Sequence, residues 1–172
     1  MALRALRTTI GAILLCAASG CSTSPSGPIT LVHLSSPSSK FFSFPSAFQF
    51  FLENTPEEQL VISDAASWTD LWSRLVKRNS PVPDAPVIDF SQDIVLFTTM
   101  GPEPTSGYST FIQSASENGG GRVVVEIAEI SLGTNCGGLD TITYPVDAVT
   151  IPRRVVLHIE FHVTKTVRDC GS

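Results

Sequence analysis

The stretch that decides the fold is residues 94–132, which read IVLFTTM (94–100), GPEPTSG (101–107), YSTFIQ (108–113), SA (114–115), SENGGG (116–121) and RVVVEIAEISL (122–132). The first segment is nearly continuous apolar sequence, as in a central strand buried on both faces. The segments at 108–113 and 122–132 are strands, and the Asn and Gly residues between them suit a hairpin turn. The regular alternation of 122–132 slips at Ala128–Ile130, which predicts a β-bulge there.

Outside this stretch, the chain predicts one helix and two more strands. Gln59–Ser63 is a short strand, and Ser67-Trp68-Thr69-Asp70 resembles a capping box with Ser67 as the cap. Apolar residues then recur at helical spacing, which predicts that one face is buried: Trp68, Leu71, Trp72, Leu75 and Val76. The last strand has a strict period of two through Val163. The sequence therefore predicts a β-rich α+β domain over 41–172, an antiparallel sheet or open sandwich with one packed amphipathic helix.

The composition argues against one class of partner and favours one class of fold. The 172 residues include 11 Lys and Arg against 16 Asp and Glu, for a formal net charge of −5. This balance argues against a nucleic-acid partner, because such proteins present clustered basic residues. The 12 Gly and 12 Pro residues favour a turn-rich β protein over a helix bundle.

The first 21 residues look like an export signal. Arg4 and Arg7 precede an uncharged apolar run at 8–18, which is too short to span a bilayer, and Ala18-Ser19-Gly20 leads directly into Cys21. Small residues before a cysteine resemble the lipobox of bacterial lipoproteins. We predict a signal peptide at 1–20, lipid attachment at Cys21, and a place in the cell envelope, facing the periplasm or the surface. The alternative is a cleaved secretory signal with a structural Cys21.

The next segment predicts a tether and then an aromatic cluster. Residues 21–40 are rich in Ser and Pro and read as a lipidated linker, although the apolar piece Ile29–Leu34 could form a short strand. Six phenylalanines then fall within Phe41–Phe51. They either close one side of the core or form a docking patch for a partner or the membrane, and the first is the more common use of such residues.

Two cysteines remain for the domain. Cys136 and Cys170 form an even pair in an exported protein, which predicts one disulfide. A metal-binding or nucleophilic pair is the rival interpretation, and their wide spacing lacks the pattern of zinc ligands.

No hydrolase or transferase signature emerges, so we predict a non-enzyme without a cofactor. The strongest metal candidate is a row on one face of the last strand, His158, Glu160 and His162, with His33 as a poor fourth ligand. A solvated polar face explains this row more simply. Gly107-Tyr108-Ser109 lacks the second glycine of a nucleophile elbow and precedes a strand.

The loop at 101–108 is the best candidate for binding. Two prolines stiffen it, Gly107 permits a sharp reversal, and a rigid loop that ends in Tyr loses little entropy on docking. We single out Pro104, Thr105, Gly107 and Tyr108 as candidate contact residues.

Several segments together resemble the C-terminal domain of the PrcB family of protease-complex subunits. They span about residues 60–164: WTDLW (68–72), VIDF (87–90), IVLF (94–97), GPEPTSGY (101–108), Cys136, TYP (143–145) and VTIP (149–152). The resemblance implies an exported protein, often a lipoprotein. The namesake of the family assists the assembly and stability of a surface protease complex and is not itself the protease. Ser106 stands where the family usually has Gly.

The same loop resembles, more weakly, the PTTGY loop of chagasin-type cysteine-peptidase inhibitors. Such inhibitors present three loops, and the turn Gly119–Gly121 would be the second one here. The third, an Arg-Pro-aromatic segment, has the reverse order in Pro152-Arg153-Arg154. A peptidase inhibitor is therefore the alternative to an accessory subunit, and a metal-binding protein is the second alternative.

Overall fold

The computed structural model describes residues 26–34, 52, 55–153 and 158–171. The predicted signal peptide, the predicted lipidation site Cys21 and the aromatic cluster Phe41–Phe51 lie outside these residues. Within the described part of the chain, no helix is long and apolar enough to cross a membrane.

The described chain forms two four-stranded sheets and one helix. The elements in chain order are β1 (Gly27–Ile29), β2 (Val32–His33), β3 (Glu58–Ile62), α1 (Ala65–Val76), β4 (Asp93–Thr99), β5 (Ser109–Asn118), β6 (Arg122–Leu132), β7 (Val146–Pro152) and β8 (His158–Arg168). The first sheet has the strand order β1-β5-β6-β8 and the second has β2-β7-β4-β3. The β-rich α+β fold with one packed helix is thereby confirmed.

The layers are sheet, sheet and helix. One apolar core lies between the two sheets and includes Leu96 and Val149 from the second sheet and Val125 from the first. A second core lies between the other face of the second sheet and α1. β4 contributes to both, because Val95 and Phe97 face the helix while Ile94 and Leu96 face the other sheet. The prediction of a central strand buried on both faces is confirmed.

The helix buries the predicted face but begins three residues earlier. Trp68, Leu71, Trp72, Leu75 and Val76 are all buried, and the two indole N–H groups donate to the carbonyls of Pro86 and Pro83. The N-cap is Asp64, whose carboxylate accepts the backbone N–H of Ser67 at 2.9 Å. The predicted Ser67 cap is wrong, since Asp64 is the N-cap and Ser67 lies in the first turn, where its own backbone N–H is the capped donor.

Two further predictions are corrected by the strand pairing, and a third is confirmed in part. β6 pairs with β8 in parallel, so the first sheet is mixed and not wholly antiparallel. The register shift lies on β5 between Ile112 and Ser114, and not on β6 at 128–130. The short strand considered at Ile29–Leu34 is confirmed in part, because β1 and β2 lie in this region and pair with β5 and β7 in different sheets.

The apparent slip in β6 has a different cause from a bulge. Val123, Val125, Ile127 and Glu129 are all buried, so the alternation continues unbroken through a glutamate. In the sequence, a charged residue at an inward position looks like a one-residue shift in the alternation of apolar and polar side chains. Glu129 therefore marks a polar end of the space between the sheets.

Candidate functional site

The loop 101–108 connects β4 in one sheet to β5 in the other and turns on two glycines. Gly101 has φ +79°, and a Cβ there would lie 3.1 Å from the carbonyl oxygen of Thr55. Gly107 has φ +102°, and a Cβ there would lie 2.9 Å from a methyl carbon of Leu132. Both positions demand glycine for backbone conformation and for space. The sharp reversal predicted at Gly107 is present.

A second segment, residues 133–145, holds this loop in place. Glu103 and Thr143 exchange two backbone hydrogen bonds of 2.8 and 3.0 Å, and the Thr143 hydroxyl donates to the Thr105 carbonyl at 2.9 Å. Ser106 N–H donates to the Leu139 carbonyl, while the Ser106 hydroxyl oxygen accepts the Leu139 N–H at 2.9 Å. The Ser106 hydroxyl therefore adds a link that a glycine at this position could not make.

A disulfide fastens the same segment to the end of β8. Cys136 and Cys170 are joined with an S–S distance of 1.95 Å and a Cα–Cα distance of 5.1 Å. Close by, Gly133 N–H donates to the Arg168 carbonyl at 2.9 Å. The two loops, 101–108 and 133–145, thus form one cross-braced surface, which we call the loop end of the molecule.

The four predicted contact residues differ in accessibility. Pro104 and Gly107 are exposed, whereas Thr105 and Tyr108 are half-buried. The most exposed apolar side chains of the two loops are instead Leu139, at 72%, and Ile142, at 62%. Sequence reasoning missed both, although two large apolar residues inside the polar run GGLDTIT were a readable signal of a contact surface.

Beneath these loops, the space between the sheets ends in charged groups. Glu129 is 1% exposed, and one of its oxygens lies 3.3 Å from Lys165 Nζ. Lys165 also pairs with Glu57 at 2.5 Å, which joins the edge strand of one sheet to the segment before the edge strand of the other. Burial raises the pKa of Glu129, and Lys165 offsets part of this effect.

Other buried polar groups, contributed by both sheets, face the same space between them. Thr110 is the register partner of Glu129, and Gln59 is the register partner of Thr98. Each of these four residues has one buried polar atom without a hydrogen-bond partner among the described residues. Glu103 adds a further carboxylate, whose pKa is raised by burial and by the charge of Glu129. The loop end is therefore acidic beneath an apolar rim.

The metal-candidate row is divided between two carboxylates. His158 Nε2 lies 3.4 Å from Glu160 Oε1, which also receives Arg122 Nη1 at 3.2 Å, whereas His162 Nδ1 lies 3.2 Å from Glu126. His33, judged a poor fourth ligand from the sequence, lies 3.5 Å from Asp147 instead. The described residues contain no group of three metal-ligating side chains suited to an ion.

An open groove of about 500 Å³ lies between β3 and α1, away from the loop end. Its charged side chains, Asp70 and Arg74, pair with each other at 3.1 Å. This arrangement offers no acid–base pair directed at a ligand.

The inhibitor interpretation fails one geometric requirement. Gly119–Gly121 follows the end of β5, while the loop 101–108 precedes its start. A ten-residue strand separates them, which is about 30 Å at the usual rise per residue. The expectation that this turn acts as a second loop beside 101–108 is therefore wrong.

The comparison with protein families agrees with the resemblance seen in the sequence. The family model described as PrcB C-terminal matches residues 94–152, which run from β4 through the loop end to the end of β7. The chain is thus similar to that family over the segment that carries the candidate surface. No curated protein and no solved structure matches the chain.

Proposed function

We propose that this protein is a lipid-anchored, non-catalytic accessory subunit of a protease complex in the bacterial cell envelope. The observation that carries the proposal is the loop end, a braced surface with exposed apolar side chains in the segment that matches the PrcB C-terminal family. The export signal and the residues before Cys21 support the anchor.

The bracing suits protein recognition. Backbone pairs, two side-chain hydrogen bonds and a disulfide fix the two loops before any partner arrives. A surface that is already ordered loses less conformational entropy on docking than a flexible one. Leu139 and Ile142 then supply apolar area that becomes buried only on binding.

The first experiment tests the surface. We would isolate the full chain from native membranes after mild cross-linking and assay the captured material for peptidase activity on casein. The double variant Leu139→Asp/Ile142→Asp should lose the captured activity. The matched control is Val87→Asp, because Val87 is fully exposed in the connection before β4 and lies outside both loops.

The outcome separates docking from misfolding. Equal circular dichroism and equal unfolding midpoints in both variants would show that the fold is intact. Captured activity that persists in Leu139→Asp/Ile142→Asp, or that falls equally in Val87→Asp, would contradict docking through the loop end.

The second experiment tests the anchor. The wild-type chain should partition into the detergent phase of a membrane extract and carry an acyl mass at Cys21. Cys21→Ser should appear in the aqueous phase without that mass. A wild-type chain that stays aqueous would contradict the lipid anchor.

A further inference from the structure

The two ends of the sandwich are chemically and topologically different. The loop end holds 101–108 and 133–145, and the opposite end, which we call the turn end, holds the turn 119–121. β5 runs from one to the other over ten residues, about 30 Å.

The N-terminal strand fixes where the chain enters the domain. β1 is antiparallel to β5, with Gly27 opposite Glu117 and Ile29 opposite Ala115. β1 therefore runs from the turn end toward the loop end, and the chain before Gly27 joins the domain at the turn end. Cys21 lies six residues before Gly27, so an extended link between them reaches at most about 20 Å. That reach is shorter than the distance between the ends.

The loop end carries an excess of carboxylates over basic groups. Among the exposed and half-buried residues of its strand ends and loops, two basic residues accompany five acidic ones: Lys165 and Arg168 against Glu57, Glu58, Glu103, Asp140 and Asp169. At the turn end, the basic residues lie among carboxylates: Arg122 pairs with Glu160 at 3.2 Å, and Arg153 follows β7 at the level of Asp93 on β4. Anionic lipid headgroups repel the acidic loop end. A basic protein surface attracts the loop end.

We propose that the loop end is the membrane-distal end of the anchored protein and docks on a basic, water-exposed surface of its protein partner. The inference rests on the proposed function, since it takes the lipid at Cys21 and the docking role of the loop end from it. It adds the orientation of the domain and the charge of the partner.

Orientation is measured with the acylated full chain in vesicles of phosphatidylethanolamine and phosphatidylglycerol that contain a headgroup spin label. A fluorescent amino acid is placed at Gly119 in one sample and at Leu139 in another. A Cβ at Gly119 meets no atom within 4 Å, and Leu139 is 72% exposed, so both sites tolerate the probe. We expect quenching at 119 and a loss of quenching at 139.

Equal quenching at both sites would show a domain lying on its side, and stronger quenching at 139 would show the reverse orientation. Either result overturns the inference. If the wild-type chain and Cys21→Ser both fail to bind the vesicles, the anchor itself fails. That outcome is distinguished from a wrong orientation by the absence of protein on the vesicles.

Partner charge is measured with a photoreactive amino acid at Leu139 in living cells. The isosteric variant Glu103→Gln/Asp140→Asn should reduce the yield of the cross-linked product. The control Asp93→Asn/Glu160→Gln removes the same charge near the turn end and should leave the yield unchanged. Higher salt should lower the yield in isolated membranes.

Unchanged yield in Glu103→Gln/Asp140→Asn would overturn the basic partner while leaving docking at the loop end intact. If position 139 gives no cross-linked product in any of these proteins, including the chain with no charge substitution, docking at the loop end is contradicted. The two failures are therefore separate observations.

Discussion

The carboxylate of Asp147 on β7 accepts the backbone N–H of Ile112 on β5 at 2.8 Å, and this hydrogen bond joins the two sheets. β1 pairs with β5 at 115–117, so Ile112 lies beyond that pairing, and the register of β5 against β6 shifts directly after it. The other oxygen of Asp147 accepts the Ala148 N–H at 2.9 Å. A fully buried carboxylate thus satisfies a backbone donor beside the irregularity in the sheet.

Asp147→Ala should lower the free energy of unfolding by about 2–4 kcal/mol, because hydrogen bonds to charged groups contribute about 1.5–3 kcal/mol and an unsatisfied buried donor costs about 1–3 kcal/mol. Urea denaturation measures the change. The control Asp140→Ala, at an exposed position of the loop end, should stay within about 0.5 kcal/mol of the wild type. Equal losses in the two variants would contradict a special role for Asp147.

His33 should make the stability depend on pH. Its hydrogen bond to Asp147 raises its pKa above the ordinary 6.5, although burial opposes the shift. Because the folded-state pKa lies above the unfolded one, this stabilisation is complete below about pH 6.5 and is lost as pH rises through the folded-state pKa.

His33→Gln should therefore destabilise the protein more at pH 5.5 than at pH 8.5 in urea denaturation. His162→Gln, which removes an exposed histidine from the outer pair with Glu126, is the comparison variant. The same loss for His33→Gln at both pH values would show that the histidine acts through packing and not through its charge.

The pair of Glu129 and Lys165 shows what sequence patterns could and could not predict. Hydrophobic periodicity located the helix face and β4, because burial of apolar side chains dominates those elements. It failed at Glu129, where a buried carboxylate interrupts the apolar pattern without interrupting the strand. Hydrophobic periodicity also could not predict the parallel pairing of β6 with β8. Alternation shows which face of the sheet a residue occupies, and not which strand lies beside its own.

The loop end was predictable only in part. The prolines and Gly107 of 101–108 carry a local signal of a stiff reversal, and the structure gives Gly107 a positive φ. The contacts from 133–145 join residues more than 30 positions apart, such as Ser106 with Leu139. Nothing local encodes that contact, so the exposed apolar residues of the second loop were missed.

Lys165→Ala should lower the free energy of unfolding by at least about 1 kcal/mol, because removing the partner of a buried charge leaves that charge uncompensated. The double variant Glu129→Gln/Lys165→Ala should recover most of this loss. Arg74→Ala, which breaks an exposed pair with Asp70, should cost about 0.5 kcal/mol or less. Urea denaturation of the wild type, Lys165→Ala, Glu129→Gln and the double variant gives the coupling, and a double variant as unstable as Lys165→Ala would contradict it.

Two adjacent glycines test whether the loops are braced against each other. A Cβ at Gly138 would lie 2.7 Å from the Ser106 carbonyl oxygen and 2.9 Å from Thr105 Oγ1, whereas a Cβ at Gly137 would meet nothing within 4 Å. Gly138→Ala should therefore push the two loops apart and destabilise the protein by about 1–3 kcal/mol, the usual range for overpacking. It should also weaken the capture of peptidase activity from native membranes, because the docking surface depends on the spacing of the loops. Gly137→Ala should leave both measurements close to the wild type, and equal effects of the two substitutions would show that the loops are not held by close contact at Gly138.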